Sequence, residues 1–196
     1  MTKITLIPQD SGFTSTLTDI IQQLNAITQG ELVYQLADWT LLNNCTLQHQ
    51  EYDKQSWLLG LPILEYLAQQ KASNTFVFVT DLLQGANYRN AFSVNADSNA
   101  VITTDSGSTK FLPDLRTYLL YFIIRQTLST LVPALKVHMD TPECYLCAKI
   151  KKSDVVISAK AGSLCESCSK KLAEKCTPTI IRSLQGMMQV VAQKMP

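Results

Sequence analysis

The chain has 196 residues, of which 46% are hydrophobic and 17% charged, enough apolar material to build a core without needing metal or disulfides for that purpose alone. Lys and Arg number 17 against 16 Asp and Glu, a net charge of +1, which excludes a global field strong enough to draw the protein onto nucleic acid or an anionic membrane. A polyanion contact would need a local patch.

The first apolar run, Lys3 to Pro8, alternates around Ile4 and Leu6 and predicts a short strand. It is too short for a secretory hydrophobic region and lacks a small-residue cleavage site, so a cytoplasmic location is expected. The SGFTST segment supplies turn and cap residues. From Thr16 to Thr28, the positions Leu17, Ile20, Ile21, Leu24 and Ile27 fall at helical spacing, giving a helix with one buried stripe closed by Gly30. Glu31 to Leu42 mixes strand propensity with no clear period and reads as a strand. The polar stretch 43–56, which contains His49, reads as a loop, and 57–70 as a helix beyond Pro62.

TFVFVT at 75–80 is the clearest strand, and its continuous apolar character places it centrally in a sheet. Two short strands follow at 91–94 and 100–104 around an NADSN turn, then a Ser/Thr/Gly loop over 105–110. Asp114 caps a long apolar helix running to about Thr130, before Pro133. Its most apolar window, Thr117 to Ile124, is bounded by Arg116 and Arg125 and is shorter than the roughly 18–20 residues of a membrane span. Ile180 to Lys194 forms a terminal helix. The order of elements predicts an α/β fold, with α+β the neighbouring option, built on a mixed sheet with packed helices. Three parts are expected in one unit: an α/β portion over 1–135, a zinc knuckle over 136–176 and the terminal helix over 177–196.

Four of the six cysteines form two C-x-x-C pairs, Cys144 with Cys147 and Cys165 with Cys168, seventeen residues apart. In a reducing compartment this spacing means metal ligation rather than disulfides. Two intervening residues let a tight turn aim both sulfurs at one ion, and four thiolates make a closed tetrahedral zinc site with no position for a reactive water. One structural zinc ion held by Cys144, Cys147, Cys165 and Cys168 is therefore expected, with iron or coincidental thiols as the other readings. The second pair runs into helical sequence, whose N-terminus favours thiolates. Cys45 and Cys176 read as small buried side chains. His138, six residues before Cys144, reads first as a polar residue at a helix end and second as a spare ligand or active-site relic. Lysines at 149, 151, 152, 170, 171 and 175 surround the knuckle but are offset by Asp140, Glu143, Asp154, Glu166 and Glu174, a solvated face before a nucleic-acid contact.

From residue 75 onward the order is apolar strand, TDLL, the Asn87–Tyr88 step, a strand ending AVITTD, a long helix, an isolated His and two cysteine pairs ending LCESCSKKL. This order resembles the archaemetzincin-type metalloproteases over roughly residues 75–175. The resemblance implies a metzincin-like fold with a four-cysteine zinc site. Where that family carries H-E-x-x-H and a third His, this chain has TYLLYFIIRQTLSTLVPALKVH, in which only His138 corresponds to a ligand. One His cannot hold a catalytic zinc, which takes about three protein ligands. The resemblance thus implies a degenerate, non-catalytic member acting on another protein as an interaction or regulatory module, in a bacterial conflict or defence setting. Two other classes remain: a zinc-ribbon protein binding nucleic acid with Tyr145 exposed, and an enzyme with a non-metal site around Asp81, Asn87, Asp105 and Ser106 at predicted strand ends.

Overall fold

The structure is a computed structural model that describes residues 2–38, 74–80, 99–104, 111–133, 135, 138–147 and 154–196. The elements expected over 43–56, 57–70, 91–94 and 105–110 lie outside the described residues, as do the turn at 95–98 and residues Cys45, His49, Asp81, Asn87, Asp105 and Ser106.

Strand β1 (Thr2–Pro8) leads through a short 3-10 turn at Ser11–Phe13 into helix α1 (Thr14–Thr28), which returns the chain to strand β2 (Leu32–Leu36). The turn is fixed by Asp10, whose carboxylate accepts from the Gly12 amide at 2.7 Å. Leu17, Ile20 and Leu24 of α1 are buried at three- and four-residue spacing, so the helix lies with one stripe against the sheet. It ends where Gln29 and Gly30 adopt φ of 49° and 87°, the left-handed conformation that stops a helix. One α1 side chain reaches further: the Asn25 amide accepts from the Tyr34 N–H and donates to the Tyr34 carbonyl, both at 2.8 Å.

Strands β3 (Asn74–Thr80) and β4 (Ala100–Thr103) complete a sheet of order β2-β1-β3-β4. All three pairings are parallel, with Ile4 opposite Tyr34 and Thr75, Leu6 opposite Leu36 and Val77, and Val79 opposite Ile102. The fold is α/β, as expected, but no antiparallel pair occurs among the described residues, where a mixed sheet was expected. The reason is visible in β1. Every residue from Ile4 to Pro8 is buried, the signature of a strand covered on both faces, and such strands sit between parallel neighbours joined by crossovers.

Helix α2 (Leu115–Leu131) is the centre of the molecule. Asp114 caps it by accepting from the Thr117 amide at 2.6 Å, and every residue from Thr117 to Ser129 is buried. A helix enclosed on all sides must satisfy its own polar groups. Thr127, Ser129 and Thr130 do so by donating to carbonyls four residues back, and Thr127 also pairs with the Tyr34 hydroxyl at 2.9 Å.

Three helices follow: α3 (Asp154–Ala161), α4 (Glu166–Lys175) and α5 (Pro178–Ala192). Helix α5 begins with Pro178 behind the Thr177 cap, whose hydroxyl accepts from the Ile180 amide. It packs against α1, α2, α3 and α4 through the buried stripe Leu184, Met187, Met188 and Val191. One hydrophobic cluster runs from Ile4 and Leu6 of the sheet through α2 to Val191, and takes in Cys144 to Cys147. Helix α3 ends at Gly162, where the backbone has φ of 56° and a β-carbon would stand 2.8 Å from Cβ of Ala192. Only glycine allows this approach, and Gln189 of α5 donates to the Gly162 carbonyl across it at 3.3 Å. Gly162→Ala is expected to lose at least about 1–2 kcal/mol from the left-handed backbone alone, with further loss from the contact, read as a drop in the urea midpoint at unchanged slope.

Candidate metal centre

The two cysteine pairs lie on two separate turns brought together below α2. The first turn follows His138. The Cys144 amide donates to the Thr141 carbonyl and the Cys147 amide to the Cys144 carbonyl, both at 3.0 Å, which closes a tight turn over Cys144–Cys147. The second turn follows Gly162 and runs into α4, with Cys165 at its N-cap and Cys168 in its first turn. The bridge of Cys144 with Ser163 and the bond from the Tyr145 amide to the Ser163 carbonyl at 2.9 Å tie the two turns together, while His138 pairs with Cys147 within the first segment.

Among the described residues this arrangement gathers one group of metal-binding type, His138, Cys144, Cys165 and Cys168, whose donor atoms all lie within 4.8 Å of one another. His138 Nε2 stands 3.6 Å from Cys165 Sγ. That distance suits a shared ion: zinc bond lengths to sulfur and imidazole nitrogen set tetrahedral edges of about 3.5–3.8 Å. Three of the four expected ligands are in the group. Cys147, only 3% exposed, is outside it. Cys176, at the end of α4, is also outside, and the described cysteines form no disulfide.

The sulfurs sit in a field of backbone donors. Burial pushes the Cys144 thiol up, the Cys165 and Leu146 amides work against this, and the Cys165 side chain adds to the rise. Burial also pushes Cys168 far up, reinforced by Cys144 and Cys165. Burial acts upward on Cys165 too, but there the Cys168 amide, the Cys168 and Cys144 thiols and the Ser167 amide outweigh it, and its pKa is lowered. Two thiols are thus raised and one lowered, the pattern of neighbouring sulfurs competing for negative charge, which a divalent ion among them would neutralise.

His138 is held from its far side by Asp140, Nδ1 to Oδ1 at 2.7 Å. The carboxyl of Asp140 is lowered first by its own backbone amide and then by His138. The first turn is held from the protein side by Arg125 of α2. This guanidinium is 6% exposed and donates to the carbonyls of Tyr145 at 2.5 Å, Cys147 at 2.9 Å and Leu146 at 3.4 Å. Tyr121, one turn earlier on α2, stacks against Tyr145 with ring centroids 4.5 Å apart and pairs through its hydroxyl with Ser158 of α3 at 2.7 Å. Tyr145 is fully buried, against the exposed position that a nucleic-acid contact requires, and its hydroxyl has no hydrogen-bond partner among the described residues.

Sequence reasoning treated His138 as a helix-end residue and Arg125 as an interruption of an apolar window. The available signals were the carboxylate two residues after His138 and a cation, Arg125, in the middle of a helix otherwise fit for a core, a position that demands buried acceptors. No family model matches the chain, and neither the curated proteins nor the solved structures hold a match to it. Fold and site together define an α/β domain with a C-terminal cysteine–histidine cluster fit to hold a metal ion. No described helix is long and apolar enough to cross a membrane.

Replacing Arg125 by Met keeps most of the apolar stem but leaves the Cys147 carbonyl without its buried donor and the Tyr145 carbonyl with only the long contact from the Tyr121 hydroxyl at 3.5 Å. At about 1–3 kcal/mol for each such group, the variant is expected to lose several kcal/mol in a denaturant titration, with the near-ultraviolet signal of Tyr121 and Tyr145 changing before the helical signal does.

Proposed function

We propose that the protein is a non-catalytic, zincin-like α/β domain whose C-terminal part is built round one structural zinc ion, and that it acts in the cytoplasm as an interaction or regulatory module for another protein. The observation that carries this reading is the donor set itself. Three thiols and one imidazole from two separate turns converge within 4.8 Å, a soft, four-donor set that suits zinc and leaves no coordination position for a reacting water.

Helix α2 supports the non-catalytic part of the reading. It stands where the archaemetzincin resemblance would put a catalytic helix, yet it is buried along its length and carries no His, Cys, Asp or Glu from Leu115 to Leu131. Its side chains serve packing and the support of the first cysteine turn. When bound, zinc supplies charge neutralisation and a cross-link worth on the order of 10–16 kcal/mol at such sites. The chain's own contribution is to hold the thiols: amides of Leu146, Cys165, Ser167 and Cys168 point at the sulfurs, and the N-terminus of α4 lies beside Cys165 and Cys168.

Metal content per chain, measured by elemental mass spectrometry after exhaustive desalting, tests this on the wild type and on Cys165→Ser. One zinc per wild-type chain is expected, lost in the variant together with thermal stability, and no turnover of a peptide panel by either. Two metals per chain, one surviving the substitution, or peptide turnover that zinc removal abolishes, would overturn the reading.

A further inference from the structure

We propose that the fourth ligand of this centre is His138 through Nε2, oriented by Asp140, and that Cys147 is not a ligand despite completing the second C-x-x-C pair. The inference rests on the metal reading above and assigns the coordination set within it: three sulfurs and one nitrogen instead of four sulfurs.

The two pairs have the same spacing but not the same local structure. In the Cys165–Cys168 turn, the amides of Ser167 and Cys168 point at Cys165 Sγ, and both sulfurs join the cluster. In the Cys144–Cys147 turn, the Cys147 amide donates to the Cys144 carbonyl instead, and the Cys147 carbonyl is taken by Arg125 at 2.9 Å. The backbone of Cys147 thus serves the turn and its link to α2, and its side chain is buried outside the cluster. Through its backbone bridge, Cys147 places His138 where the fourth donor is needed. The Nδ1 contact with Asp140 at 2.7 Å puts the ring proton on Nδ1 and leaves the Nε2 lone pair facing the sulfurs, 3.6 Å from Cys165. A carboxylate behind a ligating histidine is the usual way of fixing both tautomer and ring orientation. Replacing one thiolate by a neutral imidazole also reduces the net charge of a zinc-filled site from −2 to −1, which lowers the cost of holding it in a partly buried place.

The test replaces zinc with cobalt(II), whose visible absorption reports the ligand set, in the full-length wild type, Cys147→Ser, His138→Ala, His138→Cys and Asp140→Asn. Expected are a spectrum unchanged by Cys147→Ser and shifted by His138→Ala, and an added sulfur-to-cobalt charge-transfer contribution in His138→Cys, which keeps a donor at the position and so guards against misfolding of the alanine variant. Asp140→Asn should keep the band pattern but weaken metal affinity roughly 10–100-fold, as loss of an outer-shell partner does. A spectrum changed by Cys147→Ser and untouched by both His138 variants would overturn the assignment while leaving the structural metal in place. A wild type that takes up no metal would overturn the parent reading and this one with it.

Discussion

A single guanidinium, enclosed in the middle of the molecule, joins the packed body of the protein to its cysteine turns. A guanidinium buried inside a helix must find acceptors for its N–H groups, and those that Arg125 finds are consecutive carbonyls of Tyr145, Leu146 and Cys147. A tight turn that aims its sulfur inward leaves its carbonyls facing elsewhere, and here they face the core instead of water. The hydrogen bonds between them offset the cost of burying the cation and the cost of burying the turn's carbonyls together, so each element supports the other's place. Tyr121 and Tyr145, in contact beside the same turn, fill the apolar space that this polar contact leaves.

Around that joint, the cluster of sulfurs is assembled from parts fixed for different reasons. The first turn is fixed by α2. The second is fixed by the close passage of Gly162 along α5 and by the start of α4. The donor atoms converge because both supports belong to one hydrophobic cluster, so a change in the core that moves α2 relative to α5 would alter the ligand geometry without touching a ligand.

Much of the framework was legible in the residues. The alternation of Lys3 to Pro8, the stripe of Leu17, Ile20 and Leu24, the run at 75–80 and the Asp114 cap each carry a local period or a capping side chain, and each forms the expected element. The direction of the strands was not legible, because burial of β1 on both faces depends on what the rest of the chain lays over it. Helix α3 was also missed: only Val155, Ser158 and Ala159 are buried in it, too few apolar positions to show a period. Three of the four cysteines singled out by spacing, Cys144, Cys165 and Cys168, are gathered in the cluster. The place of Cys147 outside it does not follow from spacing, since it turns on a carbonyl–guanidinium contact between residues 22 apart. His138 stood six residues before Cys144, which allowed a spare ligand but favoured a polar helix-end residue, and its approach to Cys165 depends on contacts between turns that no local pattern encodes.

The pairing of Asn25 with Tyr34 bears on how the molecule meets copies of itself. The outer strand of a sheet ordinarily offers unpaired amides and carbonyls to any extended segment that drifts past, and such offers are how sheets grow from one molecule into the next. Among the described residues β2 is an outer strand, and the groups that Tyr34 turns away from β1 are engaged by a side-chain amide from the protein's own first helix. A strand pairing there would have to break two good hydrogen bonds in mid-strand. Asn25 thus makes that edge a poor template, and it does so with one residue on a helix whose other face is needed for the core.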